Sequence, residues 1–213
     1  MMLSSARTCI AAADSRTFLV QLFALLLLIK ATLYILDSSP MFYMGDSGAY
    51  IATALGMYMP PDRSFVYGMV IRYTAVVSHS LSSLFMFQVV ASMVSIICMA
   101  MILDRYFNAN RWLVVIIAVI ACFEPLQFMM ERYVMTDSLA ISIFAIFVFV
   151  LISYISRPPA SKLFIMQIVG IVFVAFRIAF LPIVCCFTVL APILASWLSP
   201  QKGPHIQDTA FCV

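Results

Sequence analysis

The chain has 213 residues, of which 65% are hydrophobic and only 10% charged, with a formal net charge of +3. Soluble domains carry about 25% charged residues, and no soluble fold of this size has enough interior positions to hide so much apolar surface. The composition therefore excludes a soluble enzyme, a disordered segment, a nucleic-acid-binding module and a disulfide-stapled secreted domain. It predicts an all-α, multi-pass helical membrane protein whose solvent is the lipid bilayer.

A helix needs roughly 20 apolar residues to cross about 30 Å of hydrocarbon. After a polar start (residues 1–17) with Arg7 and Arg16, the first such run is Phe18–Leu36. It offers no small-x-small cleavage site, so it is expected to stay as an anchor rather than be removed as a signal peptide. Lys30 inside it requires either snorkelling or a buried carboxylate partner. The segment 37–80 is more polar and contains two short amphipathic stretches, about Ser47–Met59 and Phe65–Ser78, expected to lie along the membrane surface. Further spans are predicted at about Ser82–Leu103, Trp112–Phe128, Val134–Tyr154, Lys162–Phe176 and Ile178–Leu198, giving about six crossings before a tail at 199–213.

With the amino terminus in the cytoplasm, Arg7, Arg16, Arg105, Arg111, Arg157, Lys162 and Lys202 fall inside. Arg63, Arg72, Arg132 and Arg177 fall outside, which satisfies the positive-inside rule. Asp37, Asp46, Asp62, Glu124, Glu131 and Asp137 also face outward. Any chemistry is expected on that face. The four internal cysteines (Cys98, Cys122, Cys185 and Cys186) lie in apolar runs and read as small buried hydrophobes. Neither a Cys/His metal spacing, a phosphate-binding glycine loop nor a nucleophile elbow occurs, so neither metal nor cofactor is implied.

Three outward-facing groups can carry chemistry. In Gly45-Asp46-Ser47-Gly48-Ala49-Tyr50, Asp46 is either a surface-presented base or, with Ser47, a helix cap. In the segment Glu131 to Ser138, Glu131, Arg132 and Asp137 crowd one membrane boundary, an expensive grouping for anchoring alone. Asp137 also suits the first turn of the helix that follows it. Arg177, flanked by apolar residues and followed by Pro182, is placed to hold either a phosphate or a carboxylate such as Asp137 or Glu124.

This order of features resembles the amino-terminal half of the GT-C membrane glycosyltransferases, which include the protein O-mannosyltransferases and the bacterial aminoarabinose transferases. The likeness covers about Phe18 to Leu198 and rests on short motifs: Asp46 with Tyr50 four residues later, Asp104-Arg105-Tyr106-Phe107, Glu124-Pro125, Arg132 to Ser138, and Arg177. It implies inverting transfer of a sugar from a polyprenyl-phosphate donor to an acceptor hydroxyl on the outer or lumenal face. The membrane would be a bacterial plasma membrane or the endoplasmic reticulum. By motif position Asp46 is the catalytic acid of the first loop, with Tyr50 beside it, and Arg132 and Asp137 are the arginine and acid of the second. Arg177 takes the place of a basic residue facing the carrier phosphate. The outward-facing Arg72 is expected to assist the two arginines, and Glu131 and Asp137 to support them. Ser47 stands where many relatives have a second acid, and members usually continue for several more spans. The alternatives are a shortened, non-catalytic relative serving as a membrane assembly partner, or a small transporter whose path is lined by Lys30, Asp137 and Arg177.

Overall fold

A computed structural model describes residues 2–56 and 63–198, with side chains from Ser15 onward. The expected tail at 199–213, and Asp62 with the Pro60–Pro61 pair, lie outside the described residues. The described residues form α-helices joined by short loops, in the order α1 (Met2–Leu36), α2 (Asp46–Gly56), α3 (Phe65–Ile71), α4 (Leu81–Arg105), α5 (Arg111–Cys122), α6 (Pro125–Met130), α7 (Asp137–Ser156), α8 (Ala160–Phe176) and α9 (Leu181–Leu198). The segments Ser15–Leu36, Leu81–Arg105, Asp137–Ser156 and Ile178–Leu198 are long and apolar enough to cross a membrane. The chain is thus an all-α membrane protein.

All six predicted crossings coincide with helices, but two are shorter than a span needs. The expected Trp112–Phe128 span ends at Cys122 after 12 residues, about 18 Å of rise. The cause is local: the Glu124 carboxylate accepts from the Gln127 amide at 2.5 Å and caps a new helix that has Pro125 in its first turn. α8 has 17 residues, about 25 Å. The expected Val134–Tyr154 span begins instead at Asp137, because residues 131–134 are drawn out of helix by backbone bonds to Met41. The Met41 amide donates to the Arg132 carbonyl at 3.1 Å and the Val134 amide to the Met41 carbonyl at 3.2 Å, an isolated parallel bridge between the two loops.

The two amphipathic stretches form α2 and α3. After Ile71 the helix widens into one π-type turn over Arg72–Val76, with the Ser80 amide reaching back to the Ala75 carbonyl at 3.0 Å. Thr74 Oγ1 donates to the Val70 carbonyl at 2.7 Å, competing with the regular ladder there. α2 and α3 approach closely at Gly68, where a Cβ would run into the Thr53 side chain. His79, exposed, then turns the chain into α4 with φ 53°.

Three apolar clusters hold the bundle together. Leu22 and Leu26 of α1 pack with Met93, Ile96 and Ala100 of α4 and Val114 and Ala118 of α5. Phe147 and Leu151 of α7 pack with Met166 and Phe173 of α8 and Val184 and Ala191 of α9. Tyr50, Tyr67 and Ile71 of the surface helices pack on Leu84, Phe85, Leu139 and Phe176 at the helix ends. Cys98 and Cys122 are buried as expected, whereas Cys185 and Cys186 are exposed on α9, because the run around them presents an outward face to lipid rather than a core.

Candidate functional site

A cavity of about 580 Å³ opens where α2 and the start of α3 meet the start of α7 and the turn between α8 and α9. One wall is Asp46 and Tyr50 of α2 with Arg63 to Val66 at the start of α3. The other is Thr136 and Asp137 of α7 with Val174 to Ala179 of the α8–α9 turn. Its size falls in the range of small-molecule sites.

Each wall contributes one ion pair. Arg63 Nη1 meets Asp46 Oδ1, and Arg177 Nη1 meets Asp137 Oδ1. Both carboxylates are the first residues of their helices, where the backbone dipole favours negative charge. Gly45, with φ 84°, lets the chain turn into α2 so that Asp46 faces the cavity. Arg177 is extended (φ −156°, ψ 108°), a break between α8 and α9 that leaves its side chain half exposed in the opening. Ser64 joins the walls: its Oγ donates to the Ala175 carbonyl at 2.9 Å and accepts from the Tyr67 amide at 3.2 Å, capping α3.

The other expected site residues lie apart from this cavity. Arg132 is buried and turns toward the end of α1, where it pairs with Asp37 and stacks 3.8 Å from the centre of the Phe128 ring. Arg72 donates to the Ala54 carbonyl at 3.0 Å and ties α3 to α2. Glu131 accepts from Lys30 Nζ at 2.5 Å and from Ser92 Oγ, all three buried; it is the carboxylate partner that Lys30 requires. Adjacent residues Glu131 and Arg132 thus both serve α1. Asp37 is held below the ordinary carboxylate range, first by the Ser39 hydroxyl and amide and then by Arg132.

Two residues that the sequence analysis did not select organise the site. Arg63 is the partner of Asp46, and Gln88 is the joint behind it. Gln88 is fully buried; its Nε2 donates to the carbonyls of Glu131 and Tyr133, both at 3.0 Å, and its Oε1 accepts from Tyr67 OH at 2.9 Å. Tyr67 in turn stands edge-on to Tyr50, ring centres 4.9 Å apart. Burial, and then the neighbouring Tyr50, raises the Tyr67 phenol above its ordinary range, so it stays a donor. Ser47 caps nothing; its Oγ accepts from the Tyr43 amide at 2.8 Å and donates to the Val134 carbonyl at 2.9 Å. Among the described residues no three His, Cys, Asp or Glu side chains gather as a metal site would need.

Comparison with protein-family models, with curated proteins and with solved structures finds no match to this chain.

Proposed function

We propose that this cavity is the active centre of an inverting glycosyltransferase of the GT-C kind, which takes a sugar from a polyprenyl-phosphate donor at the extracytoplasmic face. What supports the reading is one observation: Asp46 and Arg177, 131 positions apart in sequence, line the same cavity beside the start of the span Asp137–Ser156. A lipid-borne sugar phosphate needs such a boundary site, with its tail in hydrocarbon and its anomeric carbon within reach of a polar acceptor.

In the proposed reaction the acceptor oxygen attacks the anomeric carbon from the face opposite the phosphate. The bond from that carbon to the phosphate oxygen breaks, its electron pair leaves with the phosphate, and Asp46 takes the acceptor proton. Phosphate departs without a general acid. Arg63 and Arg177 stabilise the charge that gathers on it, and Asp137 orients Arg177. Arg132 and Arg72, which lie away from the cavity, act as supports for the loops. The basic residues Arg16, Arg105, Arg111, Arg157 and Lys162 lie at or near the helix ends opposite the cavity, which favours a cytoplasmic placement of that end.

The test is transfer from labelled polyprenyl-phosphate hexoses by purified protein in nanodiscs. Asp46→Asn is expected to lower turnover by on the order of 10²–10⁴-fold with folding unchanged. Normal turnover in that variant removes the proposed base and the reading with it.

A further inference from the structure

Two long helices, α1 and α4, act as rulers along the bundle, and both place the segment after α5 well below the cavity end. On α1, the Glu131 carboxylate is held by Lys30, seven positions before Asp37 and so about 10 Å beneath the end of that helix. On α4, the same carboxylate accepts from Ser92 Oγ, 11 positions after Leu81 and so about 16 Å from the cavity-side start. The beginning of α5 is level with the opposite end of the bundle. Arg111 stands 5.2 Å from the centre of the Phe18 ring, and Ser15 Oγ, three positions earlier on α1, donates to Asp104 at 2.9 Å. From Arg111 to Glu124 the chain therefore rises only about 20 Å. α6 adds little height, because Cys122 packs in the cluster of Leu26 and Glu131 meets Lys30 one turn further along α1.

A flat hydrocarbon core of about 30 Å does not fit this flank. Trp112, 76% exposed beside Arg111, marks the interface at one end. Measured from there, Glu124 falls about 10 Å short of the far headgroups. Yet residues 123–126 are all exposed, and the backbone at Phe123 and Glu124 lies outside the helices. The Glu124 carboxylate cannot reach upward, since it is held by the Gln127 amide at 2.5 Å. Irregular backbone and a carboxylate are not left against hydrocarbon. Nor is the outward face of α5 built for another helix. Trp112, Leu113, Ile116 and Ile120 there are bulky, whereas the small residues Ala118 and Cys122 are buried in the cluster shared with α1 and α4. On the other side of the bundle, Ile178–Leu198 is long enough for an ordinary crossing. We therefore propose that the protein pinches the bilayer at its α5–α6 flank: the leaflet on the cavity side dips by about 10 Å, bringing headgroups and water to Glu124. The occupant of this face is lipid, and short-chain lipid fits it best. These depths are independent of any catalysis in the cavity.

Nitroxide accessibility tests this in the full chain, reconstituted in dioleoyl phosphatidylcholine with the native cysteines replaced by alanine. One label is placed at Leu126 on α6, the other at Val90 on the exposed face of α4. Val90 is nine positions from Leu81, nearer the cavity-side end than Ser92, so a flat bilayer leaves it at least as wet as Leu126. The pinch reverses that order. Relaxation by a water-soluble nickel chelate is expected to be about 5-fold stronger at 126 than at 90, and relaxation by oxygen weaker. Equal wetting, or a wetter position 90, overturns the proposal. So does a label at 126 shielded from both reagents, which marks a covering protein. A second measurement uses the unaltered chain and survives any folding defect of the labelled variants. Its thermal unfolding midpoint is expected to be higher in dipalmitoleoyl than in dierucoyl phosphatidylcholine, although spans of 22 and 25 residues such as Ser15–Leu36 and Leu81–Arg105 on their own match the thicker bilayer. An equal midpoint, or a higher one in the thicker bilayer, overturns the proposal.

Discussion

At the level of single residues, the buried pair Lys30–Glu131 is a costly arrangement. Two charges taken out of water are tolerated because each satisfies the other and Ser92 adds a third contact. Removing one partner leaves a bare charge in the bundle. Lys30→Met alone is expected to destabilise by about 3–5 kcal/mol. Lys30→Met combined with Glu131→Leu is expected to recover most of that loss, read by thermal unfolding in detergent. A double variant as unstable as the worse single one defeats this account. Asp37 gives a pH-dependent counterpart. Its folded value lies below the ordinary 3.8, so the stability it lends is fully present above that value and is lost as pH falls through the folded one. Unfolding followed from about pH 6 downward is expected to lose stability as pH falls toward and below 3.8, and Asp37→Asn is expected to lessen that loss.

At the level of elements, the surface pair α2–α3 sets one wall of the cavity and depends on Gly68. Gly68→Ala pushes a methyl into Thr53. Overpacking of this kind costs about 1–3 kcal/mol. It is expected to separate Asp46 from Asp137, measurable by spin-label distances between positions 46 and 137, and Thr53→Ser in the same chain, which removes the methyl but keeps the Cβ, is expected to restore them in part. The sequence made the helices legible because apolar runs of span length have few other fates in lipid. Asp46, selected from its glycine-flanked segment, and Asp137 and Arg177, selected where charges interrupt apolar runs, all line one cavity. Arg63 was harder to see, because its pairing with Asp46 depends on how α2 folds back on α3. The signal available was Ser64, an N-cap residue directly after Arg63. The short α5 was likewise hidden, because hydropathy averaged over 112–128 outweighs the cap at Glu124. Arg132 illustrates the remaining gap: its motif position points to the cavity, yet Asp37 and Phe128 give it a nearer carboxylate and ring.

At the level of the whole molecule, Asp37, Asp46, Glu124, Glu131 and Asp137 cluster at one end of the bundle, while Arg16, Arg105, Arg111, Arg157 and Lys162 lie at the other together with Asp104. Single cysteines placed at Ser64 and at Arg157, with the native cysteines replaced, are expected to differ. An impermeant maleimide reaches the first from outside intact cells and the second only after permeabilisation. The reverse pattern inverts the proposed orientation and moves the cavity to the cytosol. Assembly order carries a consequence of its own. Lys30 and Glu131 are 101 positions apart, so the first helix leaves the translocon long before its counter-charge has been synthesised. On insertion scales a lysine at a helix centre costs about 2.5–3.5 kcal/mol, less toward the end where Lys30 sits. Until the segment after α6 arrives to neutralise it, that cost falls on the apolar residues of Phe18–Leu36 alone. The ion pair that seats α1 in the bundle is thus completed only by a segment made much later in synthesis.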